Sequence, residues 1–124
     1  MVKKYGSQIG VPDIALLGTP RGDGSPYVEV SDAYYFVVEE RGVELERRKT
    51  DDLDELLYWI FDGVTFSISC DFELRNRKPG EDPRRQLFAK QEALLSQLST
   101  RWSARKLDEH RAILTRHPFN DVFG

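Results

Sequence analysis

Apolar and polar positions follow two regimes along the chain. Residues 27–30, 34–38 and 43–48 are short runs rich in aromatic and β-branched side chains. They are separated by Ser31-Asp32 and Arg41-Gly42, polar breaks of hairpin length. This pattern predicts an antiparallel meander of about three or four strands. Residues 34–38 are apolar on both faces, which places that strand centrally with something packed on each side. In the third strand Val43 and Leu45 alternate with Glu44 and Glu46, so one sheet face should be wet. Ahead of the meander, a short apolar stretch at residues 14–17 lies between Pro12 and Gly18-Thr19-Pro20. Residues 21–26 read as an exposed loop, and residues 1–25 are expected to be irregular. The Arg21-Gly22-Asp23 triplet is better explained as a turn than as an integrin ligand.

After Thr50 the period becomes helical. Asp52, with Glu55 three positions later, has the spacing of a capping box. Leu53, Leu56, Leu57, Ile60 and Phe61 form a core-facing stripe, with Tyr58 and Trp59 partly off it. Asp51, Asp52, Asp54 and Glu55 crowd the first turn, where the positive end of the helix dipole favours them. Gly63 is expected to end this helix. From Val64 to Leu74 apolar residues alternate with polar ones, but Phe66, Cys70 and Leu74 also lie four apart. The segment 64–77 is therefore open between strand and helix. Asp82-Pro83 signals a helix start, followed by the stripe Leu87, Phe88, Gln91, Leu94, Leu95 and Leu98. Ser99-Thr100 recaps into a last helix carrying Trp102, Leu107, Ile113 and Leu114, which stops at His117-Pro118. The expected fold class is α+β, a single domain over residues 1–124, with the meander packed against three or more helices.

Composition adds constraints. At 124 residues, 40% hydrophobic and 31% charged, the chain can form a core and is not a disordered type. No apolar run approaches the roughly 20 residues of a membrane span, and no apolar segment follows Lys3-Lys4 as a secretory signal would require. Cys70 is the one cysteine, so a cytoplasmic location without membrane association is the expectation. The net charge of −3 hides an asymmetry. Residues 1–74 hold 7 basic and 15 acidic groups, a balance of −8, and residues 75–124 hold 11 and 6, a balance of +5. Attraction between the halves would explain this, as would an acidic surface offered to a basic partner. Nucleic acid would favour the opposite overall sign.

Chemistry-bearing motifs are scarce. Arg21-Gly-Asp-Gly lacks the lysine and context of a phosphate loop, and no G-x-S-x-G elbow occurs. With two histidines and one cysteine, a zinc site would need carboxylates to complete it. His110 is expected to be solvated, His117 to meet the end of its helix, and Cys70 to be core filler. No catalytic residue, metal ligand or cofactor is assigned, and an enzyme is not expected. Five Tyr, two Trp and seven Phe are generous for this length and suit interface anchors, among which Tyr35, Tyr58 and Trp59 have positions compatible with the surface.

Several stretches resemble the immunity protein 63 family of bacterial polymorphic toxin systems. They are residues 26–30, 35–42 and 50–61, with Arg84-Arg85, Phe88, Gln91 and the closing 117–121. The most specific is Asp52-Leu-Asp-Glu-Leu-Leu-Tyr-Trp59. The resemblance runs from about Ile9 to Asp121 and implies a leading helix that residues 1–25 are too short to supply whole. It implies a small α+β protein that binds and neutralises a cognate toxin domain, protecting the producing cell. It carries no catalytic residues. The partner-binding expectation falls on Glu44, Glu46, Asp51, Asp52, Asp54, Glu55, Tyr58 and Trp59. A non-catalytic regulatory or adaptor domain binding another host protein is the alternative.

Overall fold

The structure is a computed structural model and describes residues 23–121. The apolar stretch at 14–17 and the expected N-terminal element lie outside them. The chain divides into two compact units, Met1–Ile60 and Phe61–Gly124. The architecture is α+β: strands β1 (Asp23–Val30), β2 (Tyr34–Glu40) and β3 (Val43–Thr50), then helices α1 (Leu53–Arg75), α2 (Pro83–Leu98) and α3 (Thr100–Arg116). Among the described residues, no helix is long and apolar enough to cross a membrane.

In the first unit the strands form an antiparallel sheet in the order β1-β2-β3, with β2 central as its apolar faces predict. Phe36 and Val37 project to opposite faces and both are buried, so each side of β2 is covered. Arg41 and Gly42 take φ of 52° and 77° between the paired residues Glu40 and Val43. Two positive φ values in a two-residue loop match the right-handed twist of the flanking strands, and glycine takes the second at no steric cost. β1 begins at Asp23, within the loop expected over 21–26. It reaches Asp23, opposite Glu40, through an irregularity between Asp23 and Pro26. Proline cannot donate to a ladder, and an edge strand with a bulge is where it is tolerated.

The register of β3 corrects the simple alternation expected for it. Glu46 pairs with Val38 but Glu44 pairs with Glu39, so Leu45 is the extra residue of a bulge. A one-residue slip exchanges the faces. Glu46 shares the face of Phe36, whereas Glu44 lies on that of Val37. Val43 and Leu45 are both exposed.

Leu56, Leu57, Tyr58 and Ile60 are buried in the opening turns of α1. The helix does not end at Gly63. A side chain there would meet nothing, so the backbone is under no local demand to turn, and an interior glycine costs only about 1 kcal/mol relative to alanine. Residues 64–75 are therefore helical. The buried line in the second unit is Phe61, Thr65, Ser69 and Glu73, at four-residue spacing and mostly polar. The alternating apolar residues that suggested a strand are largely outside, with Phe66 and Leu74 exposed. Thr65 Oγ1 donates to Phe61 O at 2.6 Å, and Glu73 accepts a bidentate pair from Arg77 at 2.8 and 3.1 Å.

α2 starts as its sequence signal predicts. The Asp82 side chain accepts from Arg84 N–H at 3.0 Å, and Pro83 occupies the first turn, where no intrahelical donor is needed. Ser99 closes α2 and caps α3, its Oγ accepting from Trp102 N–H. Gln91, Leu94 and Leu95 are buried on α2. On α3 the buried line is Trp102, Lys106 and His110, not the expected Trp102, Leu107, Ile113 and Leu114. His110 is thus a buried histidine, not a solvated one.

Candidate partner-binding site

Seven of the eight residues expected to bind a partner lie toward the outside of the first unit, but not as one uniformly acidic edge. Glu44 is held by Arg47, whose Nη2 is 2.8 Å from its Oε1, and Arg47 Nη1 reaches Glu29 at 2.9 Å. Glu46 is ion-paired with Arg48 on the opposite sheet face. The strand that carries two glutamates also carries Arg47, Arg48 and Lys49. β3 is therefore a mixed-charge edge, a composition that discourages edge-to-edge pairing with another sheet.

The concentrated negative charge sits one step further on. Asp51 and Asp52 are exposed in the connection to α1, and Asp54 and Glu55 are half-buried in its first turn. Asp52 is the cap: Asp54 N–H donates to its Oδ1 at 2.9 Å and Leu56 N–H to its carbonyl at 3.1 Å. Thr50 Oγ1 in turn accepts from Asp52 N–H. Nearby, Asp32 accepts from Tyr35 Oη, Ser31 Oγ and Lys49 Nζ, which together pull its carboxyl down to about 2. Asp32 and Asp51 line the same open depression at the β1–β2 turn.

The aromatic residues divide. Tyr58 is 2% exposed and is a buried side chain, not a surface anchor. Its position one step from the Leu57 stripe turns it inward, where a stripe of ordinary width would have left it at the margin. Trp59 is half-buried and meets Phe36 edge-on at 6.5 Å. The Arg48 guanidinium lies over both rings, 4.8 Å from Phe36 and 5.0 Å from Trp59. Tyr35 underlies Arg47 and Lys49 on the other face.

The second unit contains a polar cluster that sequence reasoning did not find. Lys106 Nζ is 2.7 Å from Asp62 Oδ1 and 2.9 Å from Glu109 Oε1, and Gln91 Nε2 donates to Asp62 and Thr65. His110 Nδ1 is 2.6 Å from Glu92 Oε2, and its ring stacks on Phe88 at 3.8 Å. Burial holds the His110 imidazole below its usual value, against the pull of Glu92. Apart from Glu109, three positions from Lys106, these partners stand 18 to 44 positions apart, so no local motif announces them.

A second constellation gathers the distant residues of the family resemblance. Asp82 accepts from the Arg84 guanidinium at 2.8 Å and from Asn120 N–H at 2.8 Å. Arg84 also donates to the carbonyls of His117 and Pro118, Arg85 pairs with Asp121 at 2.9 Å, and Phe119 lies under Arg85 and beside Phe88. Residues 117–121 are thereby clasped to the start of α2. His117 does terminate α3, its N–H donating to Ile113 O. Cys70 is half-buried, and burial raises its thiol above the usual range, the opposite of an activated nucleophile. Among the described residues, no group of three His, Cys, Asp or Glu could hold a metal ion.

The family can be given: immunity protein 63 matches residues 31–112, and the chain belongs to that family. No curated protein and no solved structure gives a significant match.

Proposed function

We propose that the protein is an immunity protein that binds a cognate bacterial toxin domain and neutralises it by occupying its surface, without chemical turnover. The observation that carries this reading is the family match, which spans β2, β3, α1, α2 and most of α3. The acidic entry to α1, formed by Asp51, Asp52, Asp54 and Glu55, supports a basic cleft as the surface met. Glu44 and Glu46 lie further back along β3, toward the β2–β3 turn, and Trp59 lies about two turns into α1. The glutamates contribute less than their charge suggests because Arg47 and Arg48 neutralise them locally. Rim charges of this kind chiefly accelerate encounter, whereas a desolvated aromatic slows departure.

The test is co-expression with the toxin domain encoded beside the gene. Growth should be restored, and a stoichiometric complex should co-purify. A toxin domain that is folded and lethal alone, yet neither rescued nor bound, would remove the reading.

A further inference from the structure

The second unit carries a cavity of about 290 Å³. That volume lies at the lower end of the range for ligand pockets, the size of a single side chain more than of a cofactor. Its mouth is apolar. Phe66 and Ile113, 49% and 41% exposed, are two of the few large hydrophobic residues left outside, and both line it. Its floor is polar and built on buried groups: His110 and Lys106 are each more than nine-tenths buried.

The chemistry of the floor selects a cation. Asp62 and Glu109 provide two carboxylates against the ammonium of Lys106, Glu92 adds a third behind His110, outside the lining, and the outer Arg105 approaches Glu109 at 3.4 Å. With Glu92 and Arg105 both counted, three carboxylates face two cations and the local balance is negative. Asp62 uses Oδ1 for both Lys106 and Gln91, and its side chain is 31% exposed. With Nδ1 committed to Glu92, a neutral His110 presents its other ring nitrogen as an acceptor. A pocket with an apolar collar above acceptors of negative charge is complementary to a long stem ending in a planar, multiply donating cation.

Resting on the immunity reading, we propose that this cavity receives an arginine side chain of the protein partner. The aliphatic stem packs against Phe66 and Ile113, and the guanidinium donates to Asp62 and His110. Arginine is among the residues that dominate interface energetics when seated in such a pocket.

The test needs no toxin in its first arm. N-acetyl-arginine amide is titrated into the isotope-labelled chain and the backbone amides are followed by NMR. Saturable shifts are expected at Gly63, Phe66 and Ile113, with a Kd on the order of 1 mM for so small a probe. The isosteric, uncharged N-acetyl-citrulline amide should leave those amides unmoved. Gly63 lines the cavity and a side chain there meets open space. Gly63→Leu should therefore plug the mouth without disturbing the fold, and weaken arginine binding at least tenfold. Absence of saturable shifts, equal response to citrulline, or an unaffected Gly63→Leu variant would each overturn the proposal.

The second arm uses the neighbouring toxin domain, for which Gly63→Leu should lose roughly 10- to 100-fold in affinity. Equal binding of toxin by wild type and Gly63→Leu overturns the cavity's role and leaves the immunity reading standing. If the toxin binds neither, the immunity reading falls, and the partner-arginine assignment that rests on it falls too, while the arginine titration still reports whether the cavity takes a guanidinium.

Discussion

Asp82→Ala should be among the most damaging single changes to the helical unit. The carboxylate caps α2 through Arg84 N–H, accepts from Asn120 N–H, and holds the Arg84 guanidinium that grips residues 117 and 118. Loss of a helix cap costs about 1 kcal/mol. The charge-assisted bonds accepted by a side chain only 6% exposed add about 1.5–3 kcal/mol. A total near 2.5–4 kcal/mol is a large share of the roughly 5–15 kcal/mol that holds a domain together. For a chain of this size it corresponds to a drop of roughly 10–20 °C in Tm. Asp82→Asn keeps an oxygen for the cap and should fall about half as far. Thermal melts followed by circular dichroism at pH 7 measure both. The acid limb gives an independent check. Bonds from Arg84 hold the Asp82 carboxyl well below the usual carboxylate range, so its contribution is complete above about pH 4 and is lost as pH falls further. Asp82→Ala should flatten that limb. A melt of Asp82→Ala within about 2 °C of wild type would refute the argument, because the clasp would then carry no net energy.

Leu95 is fully buried in mid-α2, and Leu95→Ala should cost about 2–5 kcal/mol, read as a lowered urea midpoint; an unshifted midpoint would place that side chain outside the core. Burial disfavours the charged form of His110, with Glu92 of α2 and Glu109 of α3 opposing and Lys106 of α3 reinforcing, so stability should decline as pH falls below about 6.5. His110→Gln should remove that component from the pH profile between about 5 and 7, and an identical profile would count against a buried neutral imidazole. Glu44→Lys with Glu46→Lys should slow association with the toxin domain and lessen its salt dependence, measured by stopped flow at two salt concentrations; an unchanged on-rate would move the encounter surface away from β3.

What a single sequence discloses here depends on how local the cause is. The central place of β2 was legible because Phe36 and Val37 are adjacent, and only a doubly covered strand buries both. The starts of α2 and α3 were legible in Asp82-Pro83 and Ser99-Thr100, where the cap and the N–H it accepts from lie within three residues. The continuation of α1 through Gly63 was not, because the buried stripe Thr65, Ser69 and Glu73 is polar and the apolar alternation around it faces outward. His110, expected to be solvated, was misjudged for a related reason, and Lys106 was not singled out at all: their burial goes with Asp62 and Glu92, and nothing local marks those pairings. In β3 the bulge at Leu45 turned an expected pair of co-facial glutamates into residues on opposite sides, each tied to its own arginine. Of the candidate binding residues, the acidic entry to α1 keeps its exposed carboxylates, whereas Tyr58 does not reach the surface.

The order of the strands in space is their order along the chain, and each joins the next through a loop of two or three residues. Sheets assembled this way need little loop closure before contacts form, and low separation between contacting residues goes with fast folding. In the helical unit α2 and α3 are joined at Ser99 with equal economy, and the contacts that must wait longest are Asp62–Lys106, 44 positions apart, and Asp82–Asp121, 39 apart. Each unit can therefore organise soon after its last residue is made. On the immunity function proposed above that timing has a use: an inhibitor that matures slowly would leave an interval in which its target goes unanswered.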